Sequence, residues 1–371
     1  MNLKTKITKI HYDKNAKGFW VNVLDFASFF YGIGSGFKNF LYDKSIIKPH
    51  KVDAYVISVG NITTGGVGKT PVVAEIAKYF LEKGEKVAII SRGYGGRLSN
   101  KNINVISDGE KVYYDAKLAG DEPYWLAMNS GKLKVENGKL NNFQLSTFNF
   151  QPDKADSLLT VNSSLNSAVV ITSKNRYKAS QYAIEHFGVT KIILDDGFQH
   201  RKLHRDLDIV LMDSEKGFGR EKLLPAGPMR EGTEAFKRID KLVIVDKNTD
   251  HTRAEKLVKI MSKKMNVPAF LCKTEPDIVY NIKTGEYLEI GATASAICAI
   301  GQPEQFYAFL KDYNIEKTKT FDDHHIYTEE EIPKGIIITT EKDAVKMKDF
   351  SRNDIYALKL KTVVDVESLL S

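Results

Sequence analysis

Gly65-Gly66-Val67-Gly68-Lys69-Thr70 is the segment of this 371-residue sequence whose residue types most directly imply a reaction. Glycines let consecutive backbone N–H groups turn toward one anion, and Lys69 follows where an ammonium meets the outer phosphates of a nucleotide. Thr64, Gly65, Gly66, Val67 and Gly68 would line those phosphates, and Thr70 would offer its hydroxyl to Mg²⁺. Thr63 stands where the strict phosphate-loop pattern has its first glycine, so a preceding strand and a following helix must support the reading. Such a loop needs an acidic neighbour. Ile192-Ile193-Leu194-Asp195-Asp196 supplies one, an apolar run delivering two carboxylates to a sheet edge, where they can hold the metal directly or through water. A solvated turn is the alternative for this pair. Gln199 and His200 follow and can face the same crevice, whereas a lone histidine is more often packed or surface-paired. ATP and Mg²⁺ are the expected cofactors.

The elements that position these residues can be read around them. An apolar run from Val52 to Gly60 precedes the loop, and helical spacing from Lys69 to Lys83 follows until Gly84 stops it. A second run, Lys86 to Ile90, leads into Ser91-Arg92-Gly93-Tyr94-Gly95-Gly96-Arg97, a loop at the carboxyl end of a strand, where open α/β sheets gather ligands. Ser91, Arg92 and Arg97 can contact phosphate there, the arginines through their planar two-donor fork. Short runs at Ala168 to Thr172, Lys191 to Leu194 and Leu207 to Met212, with helical spacing from Tyr177 to Phe187, predict an α/β fold: a parallel, doubly wound P-loop NTPase-like sheet. Residues from about 131 to 167 are polar and without period, and read as an inserted excursion. Beyond Asp250 come a helical segment, then a hairpin pattern in which Ala269 to Tyr280 and Glu286 to Ile290 flank a glycine turn. Three further apolar runs close the chain. The expected organisation is an N-terminal region (1–48), a phosphate-loop domain (49–267), a two-stranded linker (268–290) and a smaller α/β domain (291–371).

Apolar residues make up 42% of the sequence, enough to fill two cores. The net charge of +7 favours an anionic partner without choosing among nucleotide, nucleic acid and lipid. Cys272 and Cys298 lack ligand-like spacing, which argues against a disulfide framework or a structural zinc site. Met1 to Lys17 lacks the apolar core of a signal peptide. Phe19 to Leu41 is crowded with aromatics, yet Asn22, Asp25, Ser28 and the glycines Gly32, Gly34 and Gly36 interrupt it, so it falls short of a span. Two readings stay open: a helix lying in a membrane interface with Lys38, Lys44 and Lys48 near anionic lipid, or an aromatic core helix. The aromatics are not interleaved with arginines on a basic face, so no nucleic-acid partner is expected.

Six blocks then occur in an order that resembles the tetraacyldisaccharide 4′-kinase (lipid A 4′-kinase) family. They are Gly65–Pro71, Ser91–Gly95, Gly120-Asp121-Glu122-Pro123, Asp195–His200, Leu224-Pro225-Ala226-Gly227-Pro228-Met229-Arg230-Glu231 and Asp323-His324, with Thr340–Lys346 also similar. The resemblance implies a P-loop kinase that phosphorylates the 4′-hydroxyl of a tetraacyl glucosamine disaccharide 1-phosphate to give lipid IVA. It further implies that Asp121 is the base, that Asp323-His324 of the smaller domain supplies its partner, and that Arg230 and Glu231 lie near nucleotide and metal. It matches the aromatic segment to a membrane-binding helix and implies a place at the cytoplasmic face of the inner membrane of a Gram-negative bacterium; a monomer is expected, with nothing in the sequence that reads out the oligomeric state. On its own, Asp121 reads as an acid at a helix N-terminus ahead of Pro123. Doubling of Asp322-Asp323 and His324-His325 leaves the partner ambiguous by one residue, and the 131–167 insertion is longer than the family usually carries. The rival enzyme is a membrane-associated P-loop ATPase of the partitioning or metal-chaperone type, which would turn over ATP without an acceptor.

Overall fold

Two helices open the chain, α1 (Leu3–Tyr12) and α2 (Phe19–Asp43), in a computed structural model that describes residues 3–13, 15–131, 167–300, 303–322 and 325–371. The expected insertion therefore lies almost wholly outside the described residues. The chain divides into one unit of Met1–Val245, Leu257–Leu271 and Val364–Ser371, and a second of Asp246–Lys256 and Cys272–Val363.

In the first unit the chain continues through β1 (Tyr55–Asn61), α3 (Lys69–Glu82), β2 (Val87–Ser91), β3 (Asn104–Asp108), α4 (Ala116–Ala119), α5 (Asp121–Asn129), β4 (Val169–Thr172), α6 (Arg176–Phe187), β5 (Lys191–Asp195), β6 (Leu207–Asp213) and β7 (Lys241–Asp246). The strand order is β7-β6-β1-β5-β2-β4-β3. Every pair is parallel except β3 with β4. Buried parallel strands need apolar residues on both faces, and β1 and β5 comply: Val56, Ile57, Val59, Ile192, Ile193 and Leu194 are all buried. Each such side chain contributes about 1.5–3 kcal/mol. Ile192 and Leu194 pack with Ala179 and Ala183 of α6, and α3 packs on β1, β2 and β5. The register sets Val59 beside Asp195, so the start of the phosphate loop and the paired aspartates leave the sheet together.

The aromatic segment is one unbroken 25-residue helix, α2, despite its three glycines. Val21, Ser28, Asn39 and Tyr42 face the unit, while Phe19, Trp20, Phe26, Phe29, Phe30, Phe37 and Phe40 are exposed. The helix is therefore not a core element. At Gly32 an added Cβ would come within 3.0 Å of the Leu223 side chain, so glycine serves close packing here rather than helix breaking. Among the described residues no helix is long and apolar enough to cross a membrane.

Helix α7 (Thr252–Met265) and strand β8 (Ala269–Asn281) pass from one unit to the other. The second unit adds β9 (Thr293–Cys298), α8 (Pro303–Phe309), β10 (Asn314–Thr320), β11 (Ile337–Thr340), α9 (Glu341–Ala344) and β12 (Ile355–Val364), ordered β10-β9-β11-β12-β8. Its pairs β10–β9, β9–β11 and β11–β12 are parallel. The hairpin pattern after β8 reduces to one antiparallel bridge, Tyr280 with Tyr287, closed by Gly285 at φ 76°. Tyr287 and Ile290 are exposed and bring no packing that would extend a second strand. Helix α10 (Val366–Leu370) returns to the first unit and buries Leu369.

Candidate active site

The phosphate loop runs from the end of β1 into α3, whose N-cap is Gly68 at φ 88°. Two backbone bonds hold it from outside: Thr64 N donates to Pro228 O at 2.7 Å, and Arg230 N donates to Ile62 O at 2.7 Å. From within, Asn61 Nδ2 donates to Thr63 O at 2.6 Å, and Gln199 Nε2 donates to Asn61 O at 2.9 Å. Gln199 thus supports the loop. The Lys69 ammonium donates to Asn61 Oδ1 at 3.2 Å and lies 3.4 Å from Asp196 Oδ1. Thr70 is the second residue of α3, half-buried behind it.

Two carboxylates at the end of β5 differ in state. Asp196, in the left-handed region at φ 55°, accepts from Arg230 Nη1 at 2.8 and 3.0 Å. Burial alone would raise its pKa, but Lys69 and Arg230 outweigh burial and hold it below the usual carboxylate range. Asp195 is buried and its carboxylate has no hydrogen bond from the described residues. Burial, with the Glu122 carboxylate and Asp196 adding to it against Lys69 and Arg176, pushes its pKa up to about 6. Glu122, from the first turn of α5, had no metal or phosphate role in the sequence reading. Its membership in the Gly-Asp-Glu-Pro block was the available signal.

Arg176, at the start of α6, is another residue that sequence reasoning passed over. Its guanidinium is buried, donates to Ser173 O at 2.8 Å and Asp195 O at 3.3 Å, and leaves Nε without a partner among the described residues. Burial lowers its pKa to about 10, with Asp195 and Asp196 opposing and Arg92 adding. His200 sits in the same cationic surroundings. Burial, then Arg176, Lys38, Arg205 and Lys202, push its pKa down to about 4, so the ring is neutral at pH 7. An anion placed among these groups would relieve their mutual repulsion.

Asp121 is the first residue of α5 and is exposed; Gly120 before it adopts φ 96°. A Cβ on Gly120 would lie 2.6 Å from Tyr94 O, so only glycine lets the base of α5 close on the Ser91–Arg97 loop. Arg97 N donates to Lys117 O at 3.2 Å in the same contact. Ser91 is buried at the end of β2, whereas Arg92 and Arg97 are exposed and free to reach a ligand. Glu231 is buried and ion-paired to Arg238, and accepts from Asn39 Nδ2 of α2 at 3.2 Å.

Asp323 and His324 lie outside the described residues. Their neighbour His325 stacks on Phe321 with ring centroids 4.5 Å apart and has Nε2 3.2 Å from Glu331 Oε2. Lys346 Nζ donates to the His325 carbonyl at 3.1 Å and pairs with the buried Asp343 at 3.1 Å.

Helix α1 holds a residue that no sequence pattern flagged. Tyr12 Oη donates to Thr64 O at 3.2 Å, from 52 positions away. His11 Nε2 lies 2.9 Å from Pro225 O, and its carbonyl accepts from Arg220 N at 3.0 Å. Tyr12→Phe is expected to raise KM for ATP about threefold with kcat unchanged, the loss of one modest hydrogen bond that shapes the loop. Steady-state kinetics at varied ATP checks this, and an unchanged KM would remove Tyr12 from the site.

Comparison with known proteins places this geometry. Residues 20–147 and 156–371 match the family model LpxK, Tetraacyldisaccharide-1-P 4′-kinase. The tetraacyldisaccharide 4′-kinase of Halothermothrix orenii is 35% identical over 347 residues, covering 86% of this chain and 80% of that protein. That of Desulfotalea psychrophila is 33% identical and covers 88% of both. Among solved structures, LpxK from Aquifex aeolicus in complex with ATP superposes with a TM-score of 0.69 at 30% identity, over 95% of this chain and 97% of that one. With a parallel sheet that brings Lys69, Asp195 and Asp196 to one edge and a match that runs through nearly its whole length, the chain belongs to the tetraacyldisaccharide-1-phosphate 4′-kinase family.

Proposed function

We propose that Lys69, Asp121 and the Asp195–Asp196 pair carry the family's reaction in this chain, ATP-dependent phosphorylation of the 4′-hydroxyl of tetraacyldisaccharide 1-phosphate in lipid A biosynthesis. The observation that carries the reading is the pairing of the loop's one ammonium, Lys69, with a strand-end carboxylate 3.4 Å away, beside a second, buried carboxylate to which no described residue donates. An acidic pair in these two states suits MgATP. Asp195, whose pKa burial lifts to about 6, and the Thr70 hydroxyl would hold Mg²⁺, with Asp196 and Glu231 as further acids. Bound there, the metal would supply positive charge that offsets the charge of the phosphates.

The chain's own groups do the rest. Backbone N–H groups of Thr64 to Gly68 cradle the phosphates, and Lys69 exchanges Asp196 for the γ-phosphate, whose charge it stabilises as transfer begins. Arg230, released in part from Asp196, and Arg92, Arg97, Ser91, Gln199 and His200 line the phosphate-bearing ends of the two substrates. Asp121 accepts the proton of the sugar hydroxyl as that oxygen attacks phosphorus. Of the two adjacent histidines, His324 takes the catalytic role implied by the family, because the His325 ring is engaged by Phe321, Tyr327 and Glu331. The exposed aromatics of α2 support a peripheral position, with the helix lying in the interface of the membrane that holds the lipid acceptor.

Incubating the protein with labelled ATP and the disaccharide 1-phosphate in detergent is expected to yield a bisphosphorylated lipid. ATP consumption at one rate with and without acceptor would favour the ATPase alternative instead. Asp121→Asn is expected to lower kcat about a hundredfold while leaving KM for ATP in place, the effect of losing a positioned base. Full activity in that variant would move the base elsewhere.

A further inference from the structure

The apolar stripe of α2 is bordered on one flank by a charged rim. Ser28 Oγ donates to Leu223 O at 2.9 Å, and Lys222 Nζ lies 2.6 Å from Asp25 Oδ2, so the loop from Glu221 to Leu223 is fixed against the helix. Phe29 and Ile33 share a groove with Lys222 and Leu223, and both are more than half exposed. From the other end of the loop, Glu221 reaches Lys264 at 4.0 Å, near the end of α7. The stripe, the loop and the C-terminal half of α7 therefore form one continuous surface.

That half of α7 has two faces. Met261 is buried, with Leu257, Val258 and Met265 packed on the cluster that holds Val210, Leu242 and Ile244. On the outer face Lys259, Ile260, Lys263 and Lys264 are all exposed, spaced so that one side of the helix presents them together. Among the described residues Lys259 and Lys263 have no carboxylate partner, and Lys264 has only the long, solvated contact to Glu221. Asp25, the other acid of the rim, is held by Lys222 and Arg220. The outer face is thus net positive and contains an exposed aliphatic side chain, which a purely ionic partner would leave in water.

We propose that the outer face of α7 is a second membrane contact, in which Lys259, Lys263 and Lys264 engage the phosphates of anionic lipid headgroups at the edge of the patch made by α2. The proposal rests on the reading of α2 as an interfacial helix, which supplies the apolar anchor and sets the depth of the rim. Lysines at an anionic bilayer surface strengthen partitioning about fivefold each, and about a hundredfold for three. The attraction falls off within a Debye length and so is lost at high salt.

The test uses full-length protein and vesicles of phosphatidylcholine, alone or with one-third phosphatidylglycerol. Wild type is expected to sediment with neutral vesicles and to bind the anionic ones about a hundredfold more tightly at low salt. The variant K259Q/K263Q/K264Q is expected to bind neutral vesicles as wild type does and to lose most of the anionic gain. Its turnover of detergent-dispersed acceptor should be unchanged, because none of the three lysines belongs to the catalytic machinery. A variant that keeps the full anionic gain would overturn the proposal. Failure of the α2 reading reads out separately: F26S/F30S would then bind neutral vesicles as well as wild type does.

Discussion

Lys69→Ala is expected to lower kcat by about three orders of magnitude while the protein stays folded. The ammonium is the loop's one cation, and groups preorganised at developing phosphoryl charge are worth about this much when deleted singly. Its contacts in the structure, Asn61 at 3.2 Å and Asp196 at 3.4 Å, keep it aimed across the loop. The fold should survive because the loop backbone is held by Pro228, Arg230 and Asn61 in bonds that do not involve the Lys69 side chain. Asp196 retains Arg230. Single-turnover kinetics with acceptor, beside a thermal melt, checks both halves. Turnover within tenfold of wild type would remove the phosphate loop from the mechanism.

Asp195→Asn should lose activity to a similar degree and gain stability, a combination few substitutions produce. The side chain is buried, no described residue donates to its carboxylate, and its pKa is pushed up to about 6 from the ordinary 3.8. The folded state therefore binds more protons than the unfolded state between those values, and stability falls as pH rises through the window. Above pH 6 the charged group costs about 3 kcal/mol, which the neutral amide removes. The variant should melt a few degrees higher at pH 8 and no higher at pH 4. MgATP should raise the melting temperature of wild type far more than that of the variant, since ligand stabilises in proportion to its occupancy. A lower melting temperature at pH 8 would mean that a donor satisfies Asp195 after all.

The residues that organise this site were legible to different depths. Strand, loop and helix around Lys69 could be read because burial on both faces of β1 forces an apolar run and the turn forces glycine. The runs behind β4, β5, β6 and α6 were visible for the same reason. Strand β10 was not, because Asn314–Thr320 is an edge segment with mostly exposed side chains, and its partner β9 supplies backbone bonds that leave no periodic trace. Tyr12 was equally silent, since its role is a bond to a distant carbonyl. Arg176 precedes the helical spacing that starts at Tyr177 and carried no signal of its own, although its guanidinium donates to the Asp195 carbonyl. The difference in ionisation between Asp195 and Asp196 depends on which of two neighbouring aspartates faces Arg230, and adjacent identical letters cannot show that.

One residue links the outer and inner ends of the first unit. The Tyr31 hydroxyl of α2 donates to the carbonyl of Arg230 at 2.9 Å, while the amide of Arg230 holds Ile62 and its guanidinium holds Asp196. A shift of the helix is thereby passed through one residue, Arg230, to the backbone that leads into the phosphate loop. Solubilising agents that seat the helix differently should change the apparent affinity for nucleotide, even when they never touch it.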